Sequence, residues 1–305
     1  MIHHVFANRS NIGDWLSAIG IQQLLGAHVV TEHLCDEPFV PATIAALSQA
    51  SSNDVVIFGG GGLFMDYFQP FWESVATRAS HVPYCIWGAG YCELKREPSR
   101  PSVELMQGIA ARAKLCVLRD ELSRQVLAPV HLPHPVACPS LVAVEQTTEA
   151  GHAVLHVDNY STAGADVYDA MEASGRAFAT ATSRPFRQTN NRVEAGNRAA
   201  LAKTLGLYAS SDVVLSSALH GCIIAVAMGR KVLAVSGDWK IEEFMNAAGL
   251  SEWVIGQDDV ERIPQLLARL SDQPDRSEFV ERAREENTVV ASNVLATLHT
   301  LEKLT

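Results

Sequence analysis

The sequence lacks the cysteine and histidine spacings that mark metal sites or disulfide frameworks. None of its six cysteines forms a Cys-x-x-Cys pair. No cysteine–histidine group has the spacing of zinc ligands, and the adjacent His3 and His4 fall in the first predicted strand, where neighbouring side chains point to opposite faces. We therefore expect no bound metal. We interpret the cysteines as buried thiols in a reducing compartment.

Positive charge and long apolar runs are also scarce. The 305 residues include 24 Lys and Arg against 34 Asp and Glu, a net charge of −10. This balance argues against general nucleic-acid binding, although it leaves room for a local basic pocket. No apolar run reaches the ~18 residues of a spanning helix, and the chain does not open with a basic segment followed by an apolar one. We expect a cytoplasmic protein without a membrane span, and peripheral membrane contact stays open.

What the chain does contain is a regular alternation of short apolar strands with helical segments. Such alternation predicts parallel sheets with helices on both faces. Four prolines within residues 129–139 and the polar stretch 145–152 interrupt it and indicate a domain boundary. We predict an α/β protein of two doubly wound, Rossmann-like domains facing a cleft, an N-terminal domain at residues 1–147 and a C-terminal domain at residues 148–305.

Three further predictions concern the second domain. We predict a strand at residues 177–181 and a polar loop of irregular shape at residues 182–193. A long helical pattern closes the chain at residues 277–303, with a break allowed near Thr288. Packing of this helix back on the first domain stays open.

The most informative segment is residues 212–250. An apolar strand runs into Ser216 and Ser217 and then into Leu-His-Gly at the start of a small-residue helix. This order places His220, followed by Gly221, at a helix N-terminus beside the carboxyl end of a strand. Ligands of open α/β sheets bind in that crevice, and a helix N-terminus favours an anion. A capped helix with a packed histidine is the alternative.

Four glycines at residues 59–62 follow a buried apolar strand. The absence of Gly-Lys-Ser/Thr excludes a Walker loop, and the absence of the Gly-x-Gly-x-x-Gly spacing excludes a dinucleotide fingerprint. Gly60, Gly61 and Gly62 fit either an anion-binding nest or a tight turn that needs small residues. Asp14 has two interpretations as well, because it fits the rim of the cleft or the capping of the first helix.

Charged and polar side chains near other strand ends complete the set of candidates. They are Arg119 after the fifth strand, Asp158 and Asn159 after the sixth, Arg184 and Arg187 in the loop region 182–193, and Lys240 after a later strand. The arginines could hold a phosphate or carboxylate in a fork geometry, and the lysine could reach a charged ligand. Each of these cations could instead be an ordinary surface residue or a partner of a nearby acid.

Taken together and in this order, the segments resemble the polysaccharide pyruvyl transferase family. The resemblance covers residues ~8–250. The matching motifs are residues 11–14, the glycines with a trailing Asp66, Arg119-Asp120 with Ser123, Ser-x-Leu-His-Gly at 217–221, and residues 238–241 with Phe244 and Gly249-Leu250. The resemblance implies a fold similar to B-type glycosyltransferases. It also implies transfer of pyruvate from phosphoenolpyruvate to two hydroxyls of a sugar of a cell-surface or exported polysaccharide, with a cyclic ketal and phosphate as products.

The resemblance implies residue roles as well. His220 would be the central residue, as a proton donor or a ligand of the leaving phosphate, and a helix N-terminus would lower its pKa until the phosphate offsets the effect. Asp14, Asp66 and Asp158 would be alternative bases. No cofactor or metal is implied. Phosphoenolpyruvate is the expected donor, and a sugar, free or lipid-linked, is the expected acceptor.

Two positions depart from the family pattern. Ala218 stands where many members have an arginine before Leu-His, and Cys138 stands where an aspartate is usual. The missing arginine leaves open which cation holds the donor's phosphate or carboxylate. The candidates are Arg119, Arg184, Arg187 and Lys240. A nucleotide-sugar-dependent glycosyltransferase of the same architecture and a glycan-binding homologue that has lost catalysis are the alternative functions.

Overall fold

The protein consists of two α/β units, each built on a parallel sheet of five strands. The computed structural model describes residues 1–28, 30–96, 98–147, 149, 151–159 and 163–302, excluding the side chain of residue 302. The prediction of two doubly wound, Rossmann-like domains is confirmed.

The first sheet has the strand order β2-β1-β3-β4-β5 with parallel pairing throughout. Its strands are β1 (Ile2–Phe6), β2 (Val30–Leu34), β3 (Val55–Phe64), β4 (Tyr84–Tyr91) and β5 (Leu115–Leu118). The helices of this half are α1 (Ile12–Leu25), α2 (Val40–Gln49), α3 (Gln69–Arg78), α4 (Val103–Arg112), α5 (Glu121–Val126) and α6 (Ser140–Ala143). The central strands are apolar because helices cover both of their faces.

The second sheet repeats this topology with the order β10-β9-β8-β6-β7, again parallel. Its strands are β6 (Ala153–Val157), β7 (Phe186–Thr189), β8 (Ser211–Ser216), β9 (Lys231–Ser236) and β10 (Val254–Gly256). The helices are α7 (Ala165–Ala181), α8 (Arg198–Ala209), α9 (Leu219–Ala227), α10 (Trp239–Ala247), α11 (Ile263–Ala268) and α12 (Ser277–Glu302).

Each sheet has one topological switch point. The chain adds strands in one direction from β1 to β2 and in the other from β1 to β3, and it does the same from β6 to β7 and β8. In sheets of this kind a crevice opens beyond the carboxyl ends of the two strands that flank the switch point. The loops after β1, β3, β6 and β8 therefore border the crevices in which a ligand would bind.

The closing helix α12 contacts both units. Near its start, the ring of Phe279 lies 6.0 Å from that of Phe244 in the second unit. In its later turns, Val290, Val294 and neighbouring apolar residues pack into the core on one face of the first sheet. Between these regions, Trp87 of β4 donates a hydrogen bond of 2.9 Å from Nε1 to Asn287 Oδ1. The helix thus fastens the two units to each other.

Two predictions for the second unit are wrong. Residues 177–181 belong to α7, whose buried positions Val167, Met171, Gly175 and Ala179 recur every four residues, as one face of a helix requires. The segment 182–193 contains a strand, β7.

The break allowed near Thr288 is absent as well. Helix α12 runs without interruption from Ser277 to Glu302. The Thr288 hydroxyl donates to the carbonyl of Arg284 within the same helix, so its hydrogen-bonding capacity is met without a bend.

Among the described residues, no helix combines the length and the apolar composition that a membrane span requires. All six cysteines are buried and unpaired.

Candidate functional site

The switch points of the two sheets face each other, and the backbone joins the two units on either side of the cleft between them. On one side, the amide of Ile12 donates to the carbonyl of Asn191 at 3.0 Å, and that of Val193 donates to Ser10 at 2.8 Å. On the other side, the amide of Lys95 donates to the carbonyl of Gly237 at 3.1 Å. The cleft lies between these crossings.

The N-terminus of α1 forms one wall of the cleft. Asn11 caps the helix, because its Oδ1 accepts a hydrogen bond of 3.0 Å from the amide of Gly13. A Cβ atom on Gly13 would lie only 2.1 Å from Cγ of His220. Only glycine leaves room for the ring here, so the predicted Asn-Ile-Gly-Asp and Leu-His-Gly motifs meet at this contact.

Asp14 lies in the first turn of the same helix and is buried. Burial raises the pKa of its carboxyl to about 6, although Arg119, Arg192 and Lys240 act in the opposite direction. The backbone of β3 approaches this carboxyl closely, since a Cβ on Gly61 would lie 2.5 Å from Asp14 Oδ1. Gly61 has a φ of 109°, which side-chain-bearing residues rarely adopt.

The glycine segment is not a turn that follows a strand. β3 continues through all four glycines to Phe64, and Gly59 and Gly61 pair with Trp87 and Ala89 of β4. The tight-turn interpretation is therefore wrong, whereas the anion-nest interpretation stays a prediction. Glycine is needed here because the strand passes between the side chains of the site.

His220 lies in the first turn of α9, as predicted, and is buried. Its Nε2 lies 3.7 Å from the thiol sulfur of Cys138. The sulfur is also contacted by the hydroxyls of Ser17 at 2.9 Å and Ser140 at 3.2 Å. Cys138 thus occupies a polar environment in direct contact with the histidine.

The pKa of His220 is lowered to about 3. Burial is the main cause, followed by the positive charges of Arg119 and Lys240. The imidazole is therefore neutral at neutral pH. A lowered pKa was also predicted from the sequence, but the lowering was attributed to the helix N-terminus rather than to burial.

Arg119, which is buried, and Lys240, which is partly buried, are two cations of the cleft. The Arg119 Nε lies 3.2 Å from Asp120 Oδ2, and Lys240 Nζ lies 2.7 Å from Asp238 Oδ2. Both cations also contact the Cys92 sulfur, Arg119 through Nη2 at 3.6 Å and Lys240 at 3.4 Å. Neither residue is an ordinary surface cation, because both converge on one thiol from different units.

These side chains surround a small cavity of about 90 Å³, which we call the polar pocket. It is lined by Asn11, Asp14, Gly62, Arg119, Asn159, Asn190, Asn191, Arg192, Ala218, Leu219, His220 and Lys240. Three cations, four amide side chains and a neutral histidine face one carboxyl group with a raised pKa. The pocket therefore suits a small, highly charged anion.

A second cavity of about 200 Å³ adjoins the first, and we call it the apolar pocket. It is lined by Arg119, Asp120, Glu121, Ala137, Cys138, Leu219, Ile223, Lys240, Glu243, Phe244, Asn246 and Ala247. Arg119, Leu219 and Lys240 border both pockets, so molecules in the two would be neighbours.

Several predicted residues shape the crevice. The Ser217 hydroxyl accepts a hydrogen bond of 2.8 Å from the amide of Asn159, which joins the loops after β8 and β6. The Ser216 hydroxyl bonds both the amide and the carbonyl of Ala218. A Cβ on Gly221 would lie 2.1 Å from the Ser216 hydroxyl oxygen. Asp158 lies beside Asn159 at the end of β6, but it is not among the described residues that line the polar pocket.

The structure places three predicted residues elsewhere. Asp66 hydrogen-bonds to Ser99 and borders a separate cavity with Cys35. Arg184 pairs with Asp212 at 3.0 Å, at the amino end of the second sheet, which is the end opposite to the cleft. Arg187 is exposed on β7, an edge strand. None of these three side chains lines the polar pocket.

Sequence reasoning missed Asn190, Asn191 and Arg192, which follow β7 and line the polar pocket. Asn191 is buried with a φ of 58°, and its Oδ1 accepts a hydrogen bond of 2.8 Å from the hydroxyl of Tyr208. The available signal was the run Thr-Asn-Asn-Arg after a short strand pattern. This signal was not recognised because the strand was placed at residues 177–181, nine residues before β7.

Solved structures with the same architecture are similar over nearly the whole chain. A putative UDP-N-acetylglucosamine 2-epimerase from Listeria monocytogenes has a TM-score of 0.59 at 11% identity, covering 100% of this chain and 97% of that one. S. aureus MnaA with UDP has a TM-score of 0.58 at 11% identity, covering 94% and 90%. A glycotransferase of kitacinnamycin has a TM-score of 0.53 at 12% identity, covering 99% and 98%. At these identities the similarity shows the fold alone, which is the predicted B-type arrangement.

Sequence comparison identifies the family. No curated protein matches the chain. The family model of the polysaccharide pyruvyl transferases, however, matches residues 11–238. The matched segment begins at the cap of the helix that bears Asp14 and ends at the carboxylate that pairs with Lys240, so it includes Arg119 and His220. This chain belongs to the polysaccharide pyruvyl transferase family.

Proposed function

We propose that the protein transfers the pyruvyl group of phosphoenolpyruvate to two hydroxyls of a sugar. The methylene carbon of the donor takes up one proton, two sugar hydroxyls lose their protons and bond to C2, and the bond between C2 and the phosphate oxygen breaks. Of the two hydroxyl protons, one balances the proton taken up by the methylene carbon and the other leaves on the phosphate, so the products are a cyclic ketal and inorganic phosphate. The observation that supports this proposal best is the polar pocket, in which Arg119, Arg192 and Lys240 from both units surround a space of about 90 Å³. A donor with a phosphate and a carboxylate needs such a clamp.

The pocket's cations differ in how they are held. Arg119 and Lys240 are oriented by Asp120 and Asp238, which fixes their positions before any ligand arrives. Arg192 is exposed and, within the described residues, pairs with no carboxylate. We infer that Arg119 and Lys240 form the rigid part of the anion site and that Arg192 closes on the bound donor.

Asp14 and His220 are the groups that we propose for proton transfer. Anionic donor would raise the pKa of both, because a negative charge disfavours the carboxylate and favours the imidazolium. Asp14, whose pKa of about 6 the donor would raise further, would then hold a proton for the methylene carbon at neutral pH. Neutral His220 would accept the proton of an attacking hydroxyl.

Arg192→Ala is expected to weaken phosphoenolpyruvate binding about tenfold, because it removes one charge-assisted contact without leaving a buried partner unpaired. Isothermal titration calorimetry measures the change. Arg187→Ala is the matched control, since this exposed arginine lies five positions earlier on β7 and does not line the pocket. Equal phosphoenolpyruvate affinities of the two variants would show that Arg192 does not belong to the anion site.

Asp14 should give folding stability a pH dependence of known sign. The carboxyl has a pKa of about 6 in the folded protein, above its ordinary value of 3.8, so folding favours the protonated form. This contribution to the free energy of unfolding is complete below pH 3.8 and is lost as the pH rises through about 6. The loss amounts to about 3 kcal/mol. Asp14→Asn has no such titration and should gain this stability relative to wild type between pH 4 and pH 7. Urea unfolding of both proteins across this range measures the difference, and a constant difference would show that Asp14 ionises normally.

The test of the proposed function is calorimetric titration with phosphoenolpyruvate and, separately, with UDP-, GDP- and CMP-sugars. Saturable binding of phosphoenolpyruvate that Arg192→Ala weakens would support pyruvyl transfer. Nucleotide-sugar binding without a response to phosphoenolpyruvate would indicate a glycosyltransferase. Phosphate release, followed by phosphorus NMR with a mixture of sugar acceptors, separates an active enzyme from a homologue that only binds glycans.

A further inference from the structure

The apolar pocket differs from the polar pocket in its walls and in its charge. Leu219, Ile223, Phe244 and Ala247 provide an apolar surface on one side. The remaining rim is mainly acidic. It contains Asp120, Glu121 and Glu243, together with the amide of Asn246, whereas the shared Arg119 and Lys240 lie at the junction with the polar pocket.

The three carboxylates of this rim are not equivalent. Asp120 pairs with Arg119 and caps α5, and Glu121 pairs with Arg124. Within the described part of the chain, Glu243 has no cationic partner. Burial and the charges of Asp120 and Glu121 raise its pKa, against a hydrogen bond from the backbone of Leu122.

We propose that the apolar pocket binds the acceptor sugar, that Glu243 accepts hydrogen bonds from its hydroxyls, and that the pocket selects neutral or amino sugars over uronic acids. The inference rests on the proposed function, because it assigns the adjoining polar pocket to phosphoenolpyruvate. It names the chemical class of the acceptor, which neither the family nor the fold specifies.

Sugar chemistry fits this pocket. A hexose presents an apolar face of C–H groups, which would pack on Phe244 and Ile223, and a rim of hydroxyls, which would donate to Glu243 and meet the amide of Asn246. Because the pocket shares Arg119 and Lys240 with the polar pocket, hydroxyls at the junction would lie beside the donor. A carboxylate on the sugar would face the acidic rim in a partly buried space, where repulsion is poorly screened.

The same charges explain why the donor does not use this pocket. Phosphoenolpyruvate would bring its negative charges next to Asp120, Glu121 and Glu243. In the polar pocket the corresponding neighbours are Arg192, the asparagines, neutral His220 and Asp14, whose carboxyl has a raised pKa. The charge distribution therefore separates the two substrates, with the anionic one on the cationic side.

The test is saturation-transfer difference NMR with the methyl glycosides of glucose, galactose, mannose and glucosamine and of the uronic acids that correspond to the three neutral hexoses. Each is measured with and without phosphoenolpyruvate. We expect at least one neutral or amino glycoside to bind about tenfold more tightly than any uronic acid. Glu243→Gln should reduce this difference severalfold. Glu242→Gln is the matched control, since Glu242 pairs with Lys95 and does not line the pocket.

A second variant tests the location without risk to the core. Ala247 is exposed at the end of α10 and lines the pocket, so Ala247→Trp should fill the space and abolish the sugar signals. Phosphoenolpyruvate binding should stay unchanged in this variant.

The outcomes separate this inference from the proposed function. Uronic acids binding as well as neutral sugars, sugar signals that survive Ala247→Trp, or no sugar signal at all would overturn the acceptor assignment, even if phosphoenolpyruvate binds. Selective sugar binding without phosphoenolpyruvate binding would support the sugar site while overturning pyruvyl transfer.

Discussion

Lys240→Met is expected to weaken phosphoenolpyruvate binding about 100-fold and to destabilise the fold by about 3–5 kcal/mol. Both effects follow from the position of the ammonium group, which faces the polar pocket and lies 2.7 Å from the buried carboxylate of Asp238. Loss of the cation removes a clamp on the donor and leaves that carboxylate without its ion-pair partner. Calorimetry measures the first effect and urea unfolding the second.

A double variant separates the two consequences of this change. Asp238 also caps α10 by accepting a hydrogen bond from the amide of Lys240, and asparagine can do the same. Asp238→Asn combined with Lys240→Met should therefore recover most of the lost stability, because the buried charge is gone, but none of the lost affinity. Recovered affinity in the double variant would mean that Lys240 acts only through the fold.

His220→Ala is expected to lower the rate of phosphate release about 100- to 10,000-fold, the range of a positioned acid or base. The histidine occupies the contact between the two units, against Gly13 on one side and Cys138 on the other. Because the lowered pKa keeps the imidazole neutral, its removal takes away a proton acceptor rather than a positive charge. Phosphoenolpyruvate affinity should therefore fall far less than turnover.

The matched control is His156→Gln. His156 is also a buried histidine, on β6, but its ring packs against Tyr168 and Phe186, and it does not line the polar pocket. Its replacement should alter stability and leave the rate per folded molecule close to wild type. Wild-type turnover in His220→Ala would exclude the histidine from catalysis.

The residues that meet in the cleft were predictable to the extent that they follow strands with a clear apolar pattern. Asp14, Arg119, His220 and Lys240 all come shortly after the carboxyl ends of such strands, and parallel pairing brings those ends together. The asymmetric sheet order and the contact between Gly13 and His220 depend on tertiary packing. The apolar pattern of the sequence does not specify this packing.

The wrong prediction that Arg184 and Arg187 lie in the site has one cause. β7 is an edge strand that reads Phe-Arg-Gln-Thr, with two exposed polar residues, so it has little apolar signal. The alternation at residues 177–181 is more strand-like, although those residues end a helix. Moving the strand to its true position puts Arg184 at the amino end and Arg192 at the carboxyl end. Arg192, rather than Arg184, therefore lies in the polar pocket.

The position of α12 has a consequence for biosynthesis. Val290, Val294 and Leu298 complete the core beneath the first sheet, next to Ile2 and Val55. These helical residues are translated after every strand of both sheets. This face of the first sheet therefore keeps apolar surface uncovered until these residues of α12 have been synthesised. Domains usually fold one after another during synthesis. Here the half that emerges first is completed only when α12 packs against it.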